Sequence, residues 1–295
     1  MKPYRSMLFV PGHKESWSRK GAEARADALI LDLEDSVPPA AKSEARTAVA
    51  RSITALSADG GPELWVRPND WHTGMAGDDL EGVVGPGLRG LFLPKIYRPE
   101  DVVRFDALLE HFERRAGIAP GSVELIITLE TAEGLACCEA LAVSSPRVRS
   151  LAGTAVRGAD AARAVGYEFT PEGLETLYLR SRAVLACRAA SLNHPLCGLW
   201  QEIQDLAGLR AFAQQNRRLG FRGQLVIHPS HVAIVNDVFT PSAEDVDYYR
   251  RMIQAFEDGE QAGSAAVTYQ GEHIDIAHVK TAREIVAFAD SLAAK

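Results

Sequence analysis

The chain is poor in cysteine, in positive charge and in long apolar runs, and each shortage removes a class of protein. Its four cysteines in 295 residues, Cys137, Cys138, Cys187 and Cys197, lack the spacing of zinc ligands. An adjacent pair in a chain of this length is not a disulfide framework either, so the thiols are expected to be reduced and mostly buried. Lys and Arg number 32 against 39 Asp and Glu, for a net charge of -7. With the basic residues scattered, no face suits a phosphate backbone, and nucleic acid is not an expected partner. No window approaches the roughly 18 consecutive apolar residues of a membrane span. The opening MKPYRSMLFVPGHK holds an apolar stretch too short for a signal peptide, so the expected setting is the cytoplasm, with no membrane partner. Internal repeats and low-complexity stretches are also missing.

What is present is the make-up of an ordinary globular protein, 46% hydrophobic and 24% charged. Eight apolar runs bounded by turn signals stand out: SMLFV (6–10), ALILDL (28–33), LWV (64–66), GLFLP (90–94), LIITL (125–129), VRSLAG (148–153), HPLCGLW (194–200) and QLVI (224–227). They are continuous rather than alternating, the mark of parallel strands buried on both faces. Helical spacing fills the gaps over 40–56, 100–115, 132–143, 174–191 and 206–219. Strand–helix alternation admits an open doubly wound sheet or a closed barrel, and no Gly-rich dinucleotide fingerprint follows the first strand. The predicted fold is therefore α/β, a (β/α)8 TIM barrel over 1–241 with a C-terminal extension over 242–295. In that extension Ser242 N-caps a helix to Asp258, a short strand-like AVTY follows, and a last helix closes the chain, the whole reading as a lid.

Nearly every run ends in a residue capable of chemistry: His13, Glu34 with Asp35, Arg67, Lys95, Glu130, Asp160 and His228. In a barrel these ends meet at one mouth. Glu130 and Asp160 are a candidate carboxylate pair for octahedral Mg2+, which keeps positions for water and substrate. Spacing alone leaves Glu124, Glu133 and Asp205 as competitors, and a helix cap or solvated charge as the plainer role. Arg67 can hold a substrate carboxylate through two parallel hydrogen bonds or pair with Glu34 or Asp35. Glu34 and Asp35 can orient Arg67 or bond metal-bound water, and Asp35 can equally cap the next helix. Lys95 can form a Schiff base with a carbonyl substrate or an ion pair with Glu130 or Glu34. His228 can donate a proton or bond backbone, and His231 falls in the first turn of a helix.

The blocks RSMLFVPG, ALILDLEDSV with AKSEAR, VRPN, GLFLPK, LETAEGL, GADAARAVG and LVIHPSHVAIVNDVFTPS together resemble the HpcH/HpaI aldolase and citrate lyase superfamily, in its citrate lyase β-subunit-like branch. The tail GSAAVTYQGEHIDIAHVKTA is similar to the lid of members acting on CoA thioesters. The resemblance implies a barrel, a homotrimer or hexamer, and Mg2+ held by Glu130 and Asp160. It further implies a carboxylate-binding role for Arg67 and a catalytic acid at Asp275, which enters a neighbouring subunit's site. The implied reaction is carbon–carbon cleavage of a 3-hydroxyacyl-CoA such as malyl-CoA, methylmalyl-CoA or citramalyl-CoA, giving a small 2-oxoacid and an acyl-CoA.

The chain departs from the family pattern at Arg157, Ala159, Cys197, His231, His273 and His13. Arg157 is expected to weaken metal binding at Asp160 or to add an anion contact. The rival activities are a malyl-CoA-type thioesterase, a citrate lyase β-like subunit working on an acyl-carrier-protein thioester, a Schiff-base aldolase using Lys95, and a non-catalytic acyl-CoA sensor.

Overall fold

A computed structural model describes residues 3–153 and 156–293, which divide into two compact units, one spanning Tyr4–Phe239 and the other built mainly from residues 240–293. In the first, eight parallel strands close into a barrel in sequence order: β1 (Ser6–Pro11), β2 (Ala28–Asp32), β3 (Glu63–Arg67), β4 (Leu88–Leu93), β5 (Glu124–Leu129), β6 (Val148–Gly153), β7 (Leu196–Cys197) and β8 (Gly223–Val226), with β8 pairing back onto β1. This is the predicted (β/α)8 barrel.

The continuous apolar runs are explained by two buried faces. Leu29 and Leu31 of β2, Leu64 and Val66 of β3, and Leu125, Ile127 and Leu129 of β5 pack outward in one core with residues of the surrounding helices. The alternate positions fill the interior of the barrel. Trp65 there is fully buried and meets the Tyr4 ring edge-on at 5.9 Å between centroids. The neighbouring strand makes room for the indole at Gly90, where an added Cβ would lie 2.3 Å from the Trp65 ring.

Two predicted elements come out differently. The run at 194–200 yields only Leu196–Cys197 as strand, because Pro195 has no N–H to give the ladder. The helix expected over 132–143 splits into Ala132–Ala136 and Cys138–Ala142, since Cys137 leaves the helical region at φ -123° and ψ 25°. All four cysteines are free, three of them buried.

The C-terminal unit contains a helix at Ala243–Gln261, a hairpin of β9 (Ala266–Tyr269) and β10 (Glu272–Asp275), and a helix at Ile276–Ala293. Ser242 caps the first helix by accepting from the backbone N–H of Asp245 at 3.0 Å. Gln270 and Gly271, both at positive φ, form the two-residue hairpin turn. Met252, Phe256, Ile274, Val279 and Ala282 give this unit its own small core. No helix among the described residues is long and apolar enough to cross a membrane.

Candidate active site at the C-terminal mouth of the barrel

Strand register places the first two functional residues side by side. Asp32 ends β2 and Arg67 ends β3, and they are register partners. The guanidinium grips Asp32 through Nε to Oδ1 and Nη2 to Oδ2, both at 2.7 Å, and turns Nη1 to Glu34 Oε2 at 3.0 Å. Its face lies over the Phe9 ring, 5.0 Å from the centroid. Burial would raise the Asp32 carboxyl, but the charge and hydrogen bonds of Arg67 outweigh it and hold the group below its ordinary value. Arg67 in turn is pushed further up, the pull of burial being overcome by Asp32 and Glu34. Asp32 also accepts from the Glu34 N–H at 2.9 Å and from Ser36, so one carboxylate shapes the loop that carries Glu34 and Asp35.

Lys95 follows β4 with φ at 47°, a left-handed conformation uncommon for a residue with a side chain. That conformation lets one residue serve two directions. Its backbone N–H donates to Glu130 Oε1 at 2.8 Å, while Nζ contacts Glu34, lies 3.0 Å from Asp35 Oδ1 and 3.7 Å from Asp160 Oδ2. Burial alone would lower the amine, but the bond to Glu34 prevails and holds it charged. Of the two roles open to Lys95, the ion pair is the one formed, with Glu34 and Asp35. A charged amine is no Schiff-base nucleophile.

Glu130 stands just past β5, and burial, reinforced by the charge of Glu34, pushes its carboxyl up to about 7. Asp160 opens the helix Asp160–Val165 and is paired through Oδ1 with Arg163 at 2.6 Å. Glu130, Asp160, Arg67 and Asp35 line one cavity of about 130 Å3, together with Thr128 and an apolar wall that includes Phe9 and Phe92. The Thr128 hydroxyl is buried with no hydrogen-bond partner among the described residues.

This donor set fits a hard divalent cation. Three carboxylates line the cavity. Asp35 is paired with Lys95, and Glu130 is held near neutrality by its surroundings, so a cation between Glu130 and Asp160 would relieve the electrostatic cost of ionising it. No three or more His, Cys, Asp or Glu side chains among the described residues form a closed metal cage. A site of two carboxylates completed by water and substrate is the type Mg2+ uses.

The competing acids are placed elsewhere. Glu124 opens β5, at the other end of the barrel, where it pairs with Arg89 at 2.7 Å and Arg149 at 3.2 Å. Asp205 caps the helix Leu206–Leu219 by accepting from Gly208 N–H at 2.9 Å. Glu133 falls in the first turn of the helix Ala132–Ala136. Asp35 caps no helix, because the chain turns through Pro39–Ala41 before the helix Lys42–Ala58 begins. Arg157 contacts Glu202 at 3.0 Å and lies over Phe169, so the arginine on Asp160 is Arg163, a helical i,i+3 neighbour that the sequence reading passed over. His228 bonds Ser230 through Nδ1 at 2.7 Å. Asp275 belongs to the C-terminal unit, where its Oδ1 accepts from Ala277 N–H at 2.9 Å and pairs with His278 Nδ1 at 2.7 Å. The bond from His278 holds Asp275 below the ordinary carboxylate value.

Besides Arg163, sequence reasoning missed Asp32. Its signal was there: an aspartate inside ALILDL, a run buried on both faces, requires a charged partner.

A closed barrel with a guanidinium and paired carboxylates at the C-terminal end of its strands defines a class of enzymes whose chemistry is built on strand-end loops. Residues 5–229 match the family HpcH/HpaI aldolase/citrate lyase, and the chain belongs to that family and is a lyase. It is 33% identical over 302 residues to the mitochondrial citramalyl-CoA lyase of Homo sapiens, covering 99% of this chain and 87% of the relative. It is 34% identical over 316 residues to the L-malyl-CoA/beta-methylmalyl-CoA lyase of Cereibacter sphaeroides, covering 99% and 96%. Among solved structures, protein CitE of Mycobacterium tuberculosis in complex with magnesium and pyruvate superimposes with a TM-score of 0.64 at 26% identity, covering 81% of this chain and 91% of that one.

Proposed function

We propose that this protein is a cytoplasmic, Mg2+-dependent carbon–carbon lyase that cleaves a 3-hydroxyacyl-CoA, such as malyl-CoA, methylmalyl-CoA or citramalyl-CoA, to a 2-oxoacid and an acyl-CoA. The observation that carries this reading is the Arg67 guanidinium, clamped by Asp32 and Glu34 and facing the same small cavity as Glu130 and Asp160. The named activities of the similar lyases support the substrate class.

Arg67 binds the distal carboxylate of the substrate with the N–H groups that Asp32 and Glu34 leave over. Glu130 and Asp160 would hold Mg2+, which would supply Lewis-acid chemistry at this site. Lys95 keeps Glu34, Asp35 and Asp160 in place and balances their charge. The hydroxyl gives up its proton to water at the open cavity mouth and becomes the carbonyl of the 2-oxoacid. The carbon–carbon bond breaks, and its electron pair passes to the α-carbon of the thioester. Asp275, contributed by a neighbouring subunit of a trimer or hexamer, returns a proton to that carbon, and in the condensation direction removes it. The thioester arm lies along the apolar groove between β1 and the segment after β8, lined by Leu8, Trp17 and Ile227, which shares Phe9 with the catalytic cavity.

The test is to supply Mg2+ with malyl-, methylmalyl- and citramalyl-CoA and assay the products. Glyoxylate or pyruvate together with an acyl-CoA is expected. Free hydroxyacid and CoA would instead mark a thioesterase.

A further inference from the structure

The loop after β2 and the segment after β3 are tied together by one half-buried cation that no step of the proposed reaction uses. Lys42 Nζ donates to the carbonyl oxygens of Leu33 and Glu34, each at 2.8 Å, and to Asn69 Oδ1. Asn69, 2% exposed, gives its backbone and side-chain N–H groups to Asp79 Oδ2, both at 2.7 Å. Asp79, fully buried, takes Arg46 Nε on its other oxygen at 2.7 Å. Lys42 and Arg46 stand one turn apart on the helix Lys42–Ala58.

Helix stability does not explain a lysine at this position. Lys42 is the first residue of its helix, where a positive charge opposes the macrodipole. The helix anchors itself through Ala45, Ala48, Val49, Ile53 and Leu56, a separate set of buried residues. What the ammonium does hold is the main chain at Leu33 and Glu34 and the side chain two residues beyond Arg67. Glu34 and Arg67 form an ion pair at 3.0 Å, so their mutual placement depends on how these two backbone segments sit.

We propose that Lys42 is a positioning residue that aims Arg67 at the substrate carboxylate by clamping the Glu34 loop to the Asn69 segment. This rests on the reading of Arg67 as the carboxylate binder. Three ligands separate the clamp from that reading: the 2-oxoacid, free CoA and Mn2+, each titrated calorimetrically against the full-length protein and its Lys42→Met variant. The 2-oxoacid, glyoxylate or pyruvate, should bind Lys42→Met about 10- to 100-fold more weakly, the usual cost of removing an orienting partner. Free CoA and Mn2+ should bind as in the wild type, and the fall in kcat/KM should be carried mainly by KM. Lys42→Arg, which keeps the charge, should recover part of the oxoacid affinity. If Lys42→Met does not fold, Asn69→Ser is used, which removes one arm of the clamp and should show the same split at smaller size. Unchanged oxoacid affinity overturns the proposal, as does equal weakening of all three ligands. A wild-type protein that binds no 2-oxoacid overturns the reading of the site itself.

Discussion

Asp32 and Arg67 are register partners on adjacent strands, and their two 2.7 Å bonds form a fork-to-fork pair at the floor of the mouth. Asp32→Asn should leave the guanidinium buried without its full counter-charge. The expected loss of stability is about 3 to 5 kcal/mol, read by urea unfolding. Because the folded-state value of Asp32 is depressed, its contribution is present above the ordinary aspartate pKa and is lost as pH falls through the folded value. The wild type should therefore lose more stability on acidification than the variant.

Glu130 titrates in the opposite sense. With its carboxyl raised to about 7, the folded protein without metal holds a proton that the unfolded chain has already released. That contribution to stability is full below the ordinary glutamate pKa, declines as pH rises toward 7 and levels off above it. A dication binds only the ionised form, so Mn2+ affinity should fall about tenfold per pH unit below 7 and level off above it. The Tm gain from Mg2+ should be larger at pH 8 than at pH 6.

Lys95 is held charged by Glu34 and Asp35, which predicts how the protein responds to two reagents. Borohydride with pyruvate should leave its mass unchanged, and EDTA should abolish cleavage until Mg2+ is restored. A trapped adduct on Lys95 would sink the metal-dependent reading.

Sharing of the site between subunits is open to complementation. Arg67→Met and Asp275→Asn should each be inactive alone, with Asp275→Asn still binding Mn2+. Mixed after dissociation and reassembly, the two should regain part of the wild-type rate. No recovery would assign Asp275 to another role, such as the helix-start contact with Ala277.

Gly90 offers a test of the barrel interior. Gly90→Ala puts a methyl 2.3 Å from the Trp65 ring, and the overpacking should cost about 1 to 3 kcal/mol, seen as a lowered Tm.

The strand count and order were determined by the sequence itself, because eight apolar runs buried on both faces cannot be confused with alternating edge strands, and the gaps between them are helix-length. So were the strand-end residues, since in a barrel the polar residue following each run emerges at the mouth. Tertiary structure decided who meets whom. Spacing along the chain cannot say that Arg67 faces Asp32 rather than Asp35, that Arg163 and not Arg157 reaches Asp160, or that Lys95 turns through a left-handed backbone to touch Glu130 and Glu34 at once. Those choices follow from strand register and from side chains finding partners as they lose water, both of which exist only once the barrel has closed.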